Sequence, residues 1–279
     1  MKFLKMHGLG NDFVILDWRQ ADIAMPEDAA RLIADRRRGV GCDQIMVLRP
    51  ARADGDLYLE MFNADGSQAG ACGNGTRCVA DLVMREKSSE TLVIETISGA
   101  LACWRDGDNI SVDMGVPHLD WQAVPLAQDV DTQAVHLGDD LPPAVCVSMG
   151  NPHAVLFYDD VSQVDIADLG SSLEVHPLFP ERANIEFVSV ISENHLRMRV
   201  WERGAGITDA CGSGACATAV AAIKKGLTGA EMRITLDGGD LFLRWSQEGQ
   251  HAGRVIMTGP VSYVADGRLH SELSDMLLR

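Results

Sequence analysis

No stretch of this sequence approaches the roughly 20 consecutive apolar residues that span a bilayer, and its opening segment, MKFLKMHGLGNDF, holds no apolar run of signal-peptide length. Basic residues are scarce: 24 Lys and Arg stand against 40 Asp and Glu, a formal charge of -16. So anionic a chain lacks the cationic field that displaces counterions from nucleic acid or attracts anionic headgroups, so neither nucleic acid nor membrane is an expected partner. A small molecule is favoured, and if it is anionic it must be held by local donors such as an arginine or a helix N-terminus. The seven cysteines are odd in number and contain no C-x-x-C pair, and a 279-residue chain needs no disulfide staples. Reduced thiols in a cytoplasmic protein are the expectation, and the spacing disfavours a zinc site. Low-complexity tracts and charge blocks are also missing, so composition marks no domain boundary.

At 46% apolar and 23% charged, the composition is that of a globular protein with a sizeable core, and the length suggests two domains. Short strands are predicted at Lys2 to Met6, Phe13 to Trp18, Gln44 to Leu48, Leu57 to Phe62, Leu92 to Ile97 and Ile110 to Met114. Helical patterns are few. Pro26 to Arg38 reads as one, with proline in its first turn, three arginines in its last and Gly39 beyond, and two others begin near Cys72 and Cys211.

An internal repeat supplies the boundary. ACGNGTRC from Ala71 is echoed by ACGSGAC from Ala210, an offset of 139. At that offset Leu57, Leu59 and Met61 match Leu196, Met198 and Val200. At 140, Gly10-Asn11 matches Gly150-Asn151, Gln44-Ile45 matches Asn184-Ile185, and Ser98-Gly99 matches Gly238-Gly239. Matches in one order along most of the chain imply two copies of one fold: residues 1–115 with 264–279, and residues 116–263. Each copy runs from strand through a glycine-rich turn into a helix, which suggests an α/β (α+β) fold of two pseudo-symmetric domains, each a curled, mainly antiparallel sheet around a central helix.

A cysteine at the first position of a helix has its thiolate stabilised by free N–H groups and by the positive end of the dipole, which lowers its pKa and makes it a usable base. Cys72 and Cys211 alone combine that position, flanking glycine and the repeat; Cys42, Cys78, Cys103, Cys146 and Cys216 read as core residues. If the two copies face each other, two such thiols suit a reaction that must reach both faces of one carbon. One thiolate takes a Cα proton, the opposite thiol supplies another, and the reverse reaction exchanges their roles. The N–H groups of Gly73, Asn74, Gly212 and Ser213 would meanwhile face a ligand carboxylate.

HGLGNDFVILD from His7, MFNADGSQAGACGNGTRC from Met61, GNPHAV from Gly150 and WERGAGITDACGSGACA from Trp201 resemble the diaminopimelate epimerase family over the whole chain. The resemblance implies two similar α/β domains, no cofactor, and conversion of LL-2,6-diaminopimelate to the meso isomer for lysine and peptidoglycan precursor synthesis. By motif it makes Cys72 and Cys211 the catalytic pair. Asn11, Gln44, Asn63, Gly73, Asn74, Asn151, Asn184, Glu202, Arg203, Gly212 and Ser213 would bind substrate, while His153 and Glu202 tune the thiols. A two-ended amino acid suits carboxamides with an Arg–Glu set for its distal charges. Asn11 and Asn151 also have a plainer reading, as turn residues tolerant of the left-handed region. Ile207 stands where the family usually has Glu, Asp209 where an apolar residue is common, and Ala265 where an aromatic packs a dimer, which leaves a homodimer open. The rival readings are a proline racemase or hydroxyproline epimerase with the same thiol chemistry, and, outside enzymes, a zinc-binding or redox-switched protein.

Overall fold

The computed structural model describes residues 1–277, which form two compact units: Met1–Val112 together with the chain from Gly259, and Asp113–Thr258. The breaks fall a few residues before those at 115/116 and 263/264 suggested by the repeat. The return to the first unit comes early because a strand from Ser262 pairs antiparallel with the first strand of the chain. Leu278 and Arg279, at the end of the 264–279 segment, lie outside the described residues.

In chain order the first unit contains β1 (Lys2–Gly8), β2 (Asn11–Asp17), α1 (Glu27–Ala34), β3 (Gln44–Arg49), β4 (Leu57–Asn63), β5 (Gln68–Ala69), α2 (Gly73–Lys87), β6 (Thr91–Thr96), β7 (Gly99–Asp106) and β8 (Asn109–Asp113). The second contains β9 (Val145–Ser148), β10 (Pro152–Phe157), α3 (Ile166–Glu174), β11 (Asn184–Ser192), β12 (His195–Glu202), β13 (Gly206–Thr208), α4 (Gly212–Lys224), β14 (Glu231–Leu236), β15 (Gly239–Trp245) and β16 (Val255–Gly259). The chain then ends with β17 (Ser262–Arg268) and α5 (Ser271–Met276). Pairing repeats element for element: β2 with β3 and β10 with β11 are parallel, β3 with β4 and β11 with β12 antiparallel, β4 with β6 and β12 with β14 parallel. The remaining pairings within each unit are antiparallel. α2 touches β1 and β2 as well as β6 and β7, strands far apart in the sheet order, so the sheet curls around it; α4 does the same with strands from β9 to β15.

Strand alternation assigns the two faces. Val14, Leu16, Ile45 and Val47 pack on α1, while Ala154, Leu156, Ile185 and Phe187 share a core cluster with Ile166 and Leu173 of α3. The opposite parity turns inward, and there Phe13 and Met46 lie against α2 at Gly75. α4 accepts close wrapping because Ala215, Ala217, Ala219, Ala221 and Ala222 are all buried. No helix among the described residues is long and apolar enough to cross a membrane.

α1 is shorter than its sequence pattern, stopping at Ala34 rather than Arg38. Asp35 takes an extended conformation, and its carboxylate accepts the N–H groups of Arg37 and Arg38, offering the backbone a turn in place of another helical step. The arginines therefore lie outside the helix, and Arg36 reaches Asp12 and Asp43 instead.

Candidate functional site

Each inner helix begins on a cysteine. Cys72 is the N-cap of α2, with extended backbone (φ -153°), and its Sγ accepts the N–H of Gly75 at 3.4 Å; Cys211 caps α4 in the same way through Gly214, also at 3.4 Å. Sulfur thus takes the place of the Ser or Asp oxygen that ordinarily satisfies one of the free N–H groups of a first turn. The neighbouring N–H groups of each turn and the positive end of each helix are left to attract negative charge. Gly73, Asn74 and Gly212 are buried there, and Ser213 is half-buried.

In the first unit the thiol is surrounded by amides. Cys72 S–H donates to Asn11 Oδ1 at 3.8 Å, Asn74 Nδ2 donates to the same oxygen at 3.4 Å, and Asn11 Nδ2 donates to Asp43 Oδ2 at 3.0 Å. Asp43 is itself held by Arg36. Gln44 Nε2 donates to Asn63 Oδ1 at 2.9 Å, a pair set side by side by the β3–β4 register. The left-handed residues here are Leu9 and Gly10, the turn between β1 and β2, and in the second copy Gly150. Neither Asn11 nor Asn151 has positive φ, so each is present for its amide rather than for turn tolerance.

In the second unit the thiol has charged company. Ser213 Oγ lies 3.7 Å from Cys211 Sγ and accepts from Asn151 Nδ2 at 3.3 Å. Asn151 Oδ1 faces His153 Nε2 at 3.0 Å, and His153 Nδ1 lies 2.7 Å from Glu186 Oε1, with His153 and Glu186 fully buried. Glu202 accepts from the Thr208 hydroxyl and also interacts with Cys211; burial raises its carboxyl pKa above the ordinary value. Burial, reinforced by the negative charges of Glu202 and Glu186, pushes the Cys211 thiol well above the usual cysteine range. That reverses the direction expected from the helix start alone: the N–H of Gly214 and the Ser213 hydroxyl do favour the thiolate, but loss of water and two nearby carboxylates outweigh them. Replacing Glu202→Gln removes one of those charges and lowers the Cys211 pKa, so more thiolate is present at pH 8. Iodoacetamide should then label Cys211 about tenfold faster, read by peptide mass spectrometry, and an unchanged rate would contradict this account.

Two residues behave otherwise than the motifs suggest. The Asn184 amide is spent on backbone, donating to the Pro152 carbonyl and accepting the Arg203 N–H, both at 2.9 Å, so it braces the site. The Arg203 guanidinium does not pair with Glu202; it donates to the Glu181 carbonyl at 3.1 Å and is exposed. Asp43 and Glu186 belong to the two networks yet escaped sequence reading. The repeat carried a signal for the second, since Glu186 falls at the position of the apolar Met46. The other five cysteines are buried; burial lifts the thiols of Cys42, Cys78 and Cys146 to about 12. Among the described residues no group of three or more His, Cys, Asp or Glu side chains is placed to hold a metal ion.

Known proteins match the chain in sequence and in fold. The family model described as diaminopimelate epimerase matches residues 3–119 and 145–264. A diaminopimelate epimerase of Rhodospirillum centenum is 53% identical over 280 residues, covering 99% of this chain and 94% of that protein. One from Phenylobacterium zucineum is 48% identical, covering 96% and 97%. In fold, the chain resembles a Bacillus anthracis phenazine biosynthesis protein of the PhzF family, with a TM-score of 0.70 at 16% identity over 97% of this chain and 99% of that one. It also resembles a hydroxyproline epimerase from Agrobacterium vitis, with a TM-score of 0.67 at 16% identity over 96% and 91%. With half-to-half repetition, a cysteine capping each inner helix and near-complete coverage by these relatives, the chain belongs to the diaminopimelate epimerase family and is an isomerase.

Proposed function

We propose that this protein interconverts LL- and meso-diaminopimelate without a cofactor, moving the Cα proton between Cys72 and Cys211, in the cytoplasmic synthesis of lysine and peptidoglycan precursors. The observation that carries the reading is the pair of repeat-related cysteine N-caps. Each supplies an acid–base sulfur beside a turn of N–H groups, here Gly73-Asn74 and Gly212-Ser213, suited to the carboxylate of the reacting centre. Cys211, protonated in the free protein, enters as the acid; Cys72 as thiolate takes the Cα hydrogen, and the C–H electron pair moves into the carboxylate. Cys211 then gives its proton to the opposite face of the carbon and is left as thiolate, so the reverse reaction begins with the roles exchanged. The N–H groups and positive helix end beside each sulfur suit the dianion-like charge that develops on a bound carboxylate, and stabilising that charge is the larger part of what the reaction demands. Asn11, Asn63, Asn151 and Gln44 contribute carboxamides for substrate binding, and Arg203 offers an exposed guanidinium for a distal carboxylate. His153 and Glu202 tune the sulfur of Cys211. Relatives named diaminopimelate epimerase, at 53% and 48% identity, support the substrate.

The test is incubation of the reduced protein with LL-diaminopimelate in D₂O. Deuterium at one Cα together with the meso isomer is the expected result. No exchange there, with exchange into proline or hydroxyproline, would transfer the assignment to the other two-thiol racemases.

A further inference from the structure

Within the second unit, the inner face of the sheet carries an imidazole–carboxylate pair where the first unit carries hydrocarbon. The repeat offset of 140 matches His153 with Phe13 and Glu186 with Met46. The pairing register agrees, since Phe13 lies opposite Gln44 on β2 and β3 as His153 lies opposite Asn184 on β10 and β11. Both sets press on the third residue of the inner helix: a Cβ on Gly75 would meet the Met46 side chain, and one on Gly214 would lie 2.6 Å from Glu186 Oε1. The first unit therefore shows that this position packs well with apolar side chains. Burying an imidazole and a carboxylate instead carries a desolvation cost that packing does not repay. Glu186 adds to it, because its Oε2 is buried with no hydrogen-bond partner among the described residues.

We propose that Glu186 is a positioning residue for proton transfer at Cys211, acting through His153, Asn151 and Ser213. This rests on the two-cysteine reading above. With Glu186 as the counterion of an imidazolium, His153 would donate from both ring nitrogens, Nδ1 to Glu186 Oε1 2.7 Å away and Nε2 to the oxygen of Asn151 3.0 Å away. The Asn151 oxygen, engaged by that cation, turns its Nδ2 to the Ser213 oxygen, which frees the Ser213 hydrogen for Cys211 Sγ, 3.7 Å away. The chain of donors is thereby aimed at the sulfur when it becomes a thiolate, and no proton leaves the chain. Without the carboxylate, nothing holds the second proton on His153, the Asn151 oxygen loses its donor and the amide is free to turn over, which reverses the direction of the last two bonds.

The experiment compares wild type with Glu186→Gln, using histidine labelled with ¹⁵N, the His153 signals being assigned through His153→Phe. In wild type both ring nitrogens of His153 should show the imidazolium signature, and in Glu186→Gln one should lose its proton. With LL-diaminopimelate, kcat should fall about 10- to 100-fold, the range found where an outer carboxylate orients a histidine, with KM within about threefold. The double variant His153→Phe, Glu186→Met copies the first unit's packing; it should melt at or above the wild-type temperature and be at least as slow as the single variant. An unchanged His153 spectrum or a wild-type kcat in Glu186→Gln would overturn the inference, as would a double variant that fails to fold, since the pair would then be holding the core. The spectrum is read without substrate, so a wild type inactive on diaminopimelate would refute the proposed substrate while the role of Glu186 is still decided.

Discussion

Cys72→Ala and Cys211→Ala should each lower epimerisation of LL-diaminopimelate by about 10³-fold or more. A positioned acid or base is worth roughly 10²- to 10⁴-fold, and in the proposed mechanism each thiol is the base in one direction and the acid in the other, so neither direction would survive the loss of one sulfur. The comparison must be made against folding. Each cysteine caps its helix through an N–H bond to sulfur, at 3.4 Å, and the loss of that cap in an alanine variant costs about 1 kcal/mol or less. Both variants should therefore retain the wild-type circular dichroism spectrum and melt within a few degrees of it. Replacement by Ser restores the cap but not the acidity, so it should recover stability and little of the rate. Wild-type turnover in either alanine variant would end the two-thiol mechanism, whatever the substrate.

Gly214→Ala should be the most damaging change of a single methyl group, destabilising the protein by about 2–4 kcal/mol in denaturant unfolding and removing most activity. A Cβ at that position lies 2.6 Å from Glu186 Oε1 and 3.2 Å from Cys211 Sγ. The carboxylate cannot retreat without leaving His153, and a buried pair that loses one partner leaves an uncompensated charge. Gly75→Ala at the repeat-related position supplies the control. Its Cβ would meet the terminal methyl of Met46 at 2.2 Å, a closer overlap on paper, but an unbranched thioether can swing aside, and alanine gains helix propensity over glycine. That variant should cost about 1 kcal/mol, in the range of modest overpacking. If the two alanines prove equally harmful, the difference between an anchored carboxylate and a movable methionine is not what governs this position.

The sequence by itself determined the two-copy architecture and the cysteine that starts each inner helix, because both are written in patterns of residue type and spacing. Alternation of apolar residues and glycine after cysteine depend only on residues close in the chain, and strands and N-caps form on those terms, while the offset between Cys72 and Cys211 is read by comparing the chain with itself. Tertiary structure decided what each sulfur experiences. Glu186 meets His153 because β10 and β11 pair in parallel across a connection of 26 residues, 158–183, and that register is invisible to a local pattern. Arg203 and Glu202 are adjacent in sequence yet point to different partners, since successive residues at a strand end face opposite sides. The helix start alone argued for a lowered thiol pKa at Cys211; only burial beside two carboxylates, a property of the assembled core, turned it upward.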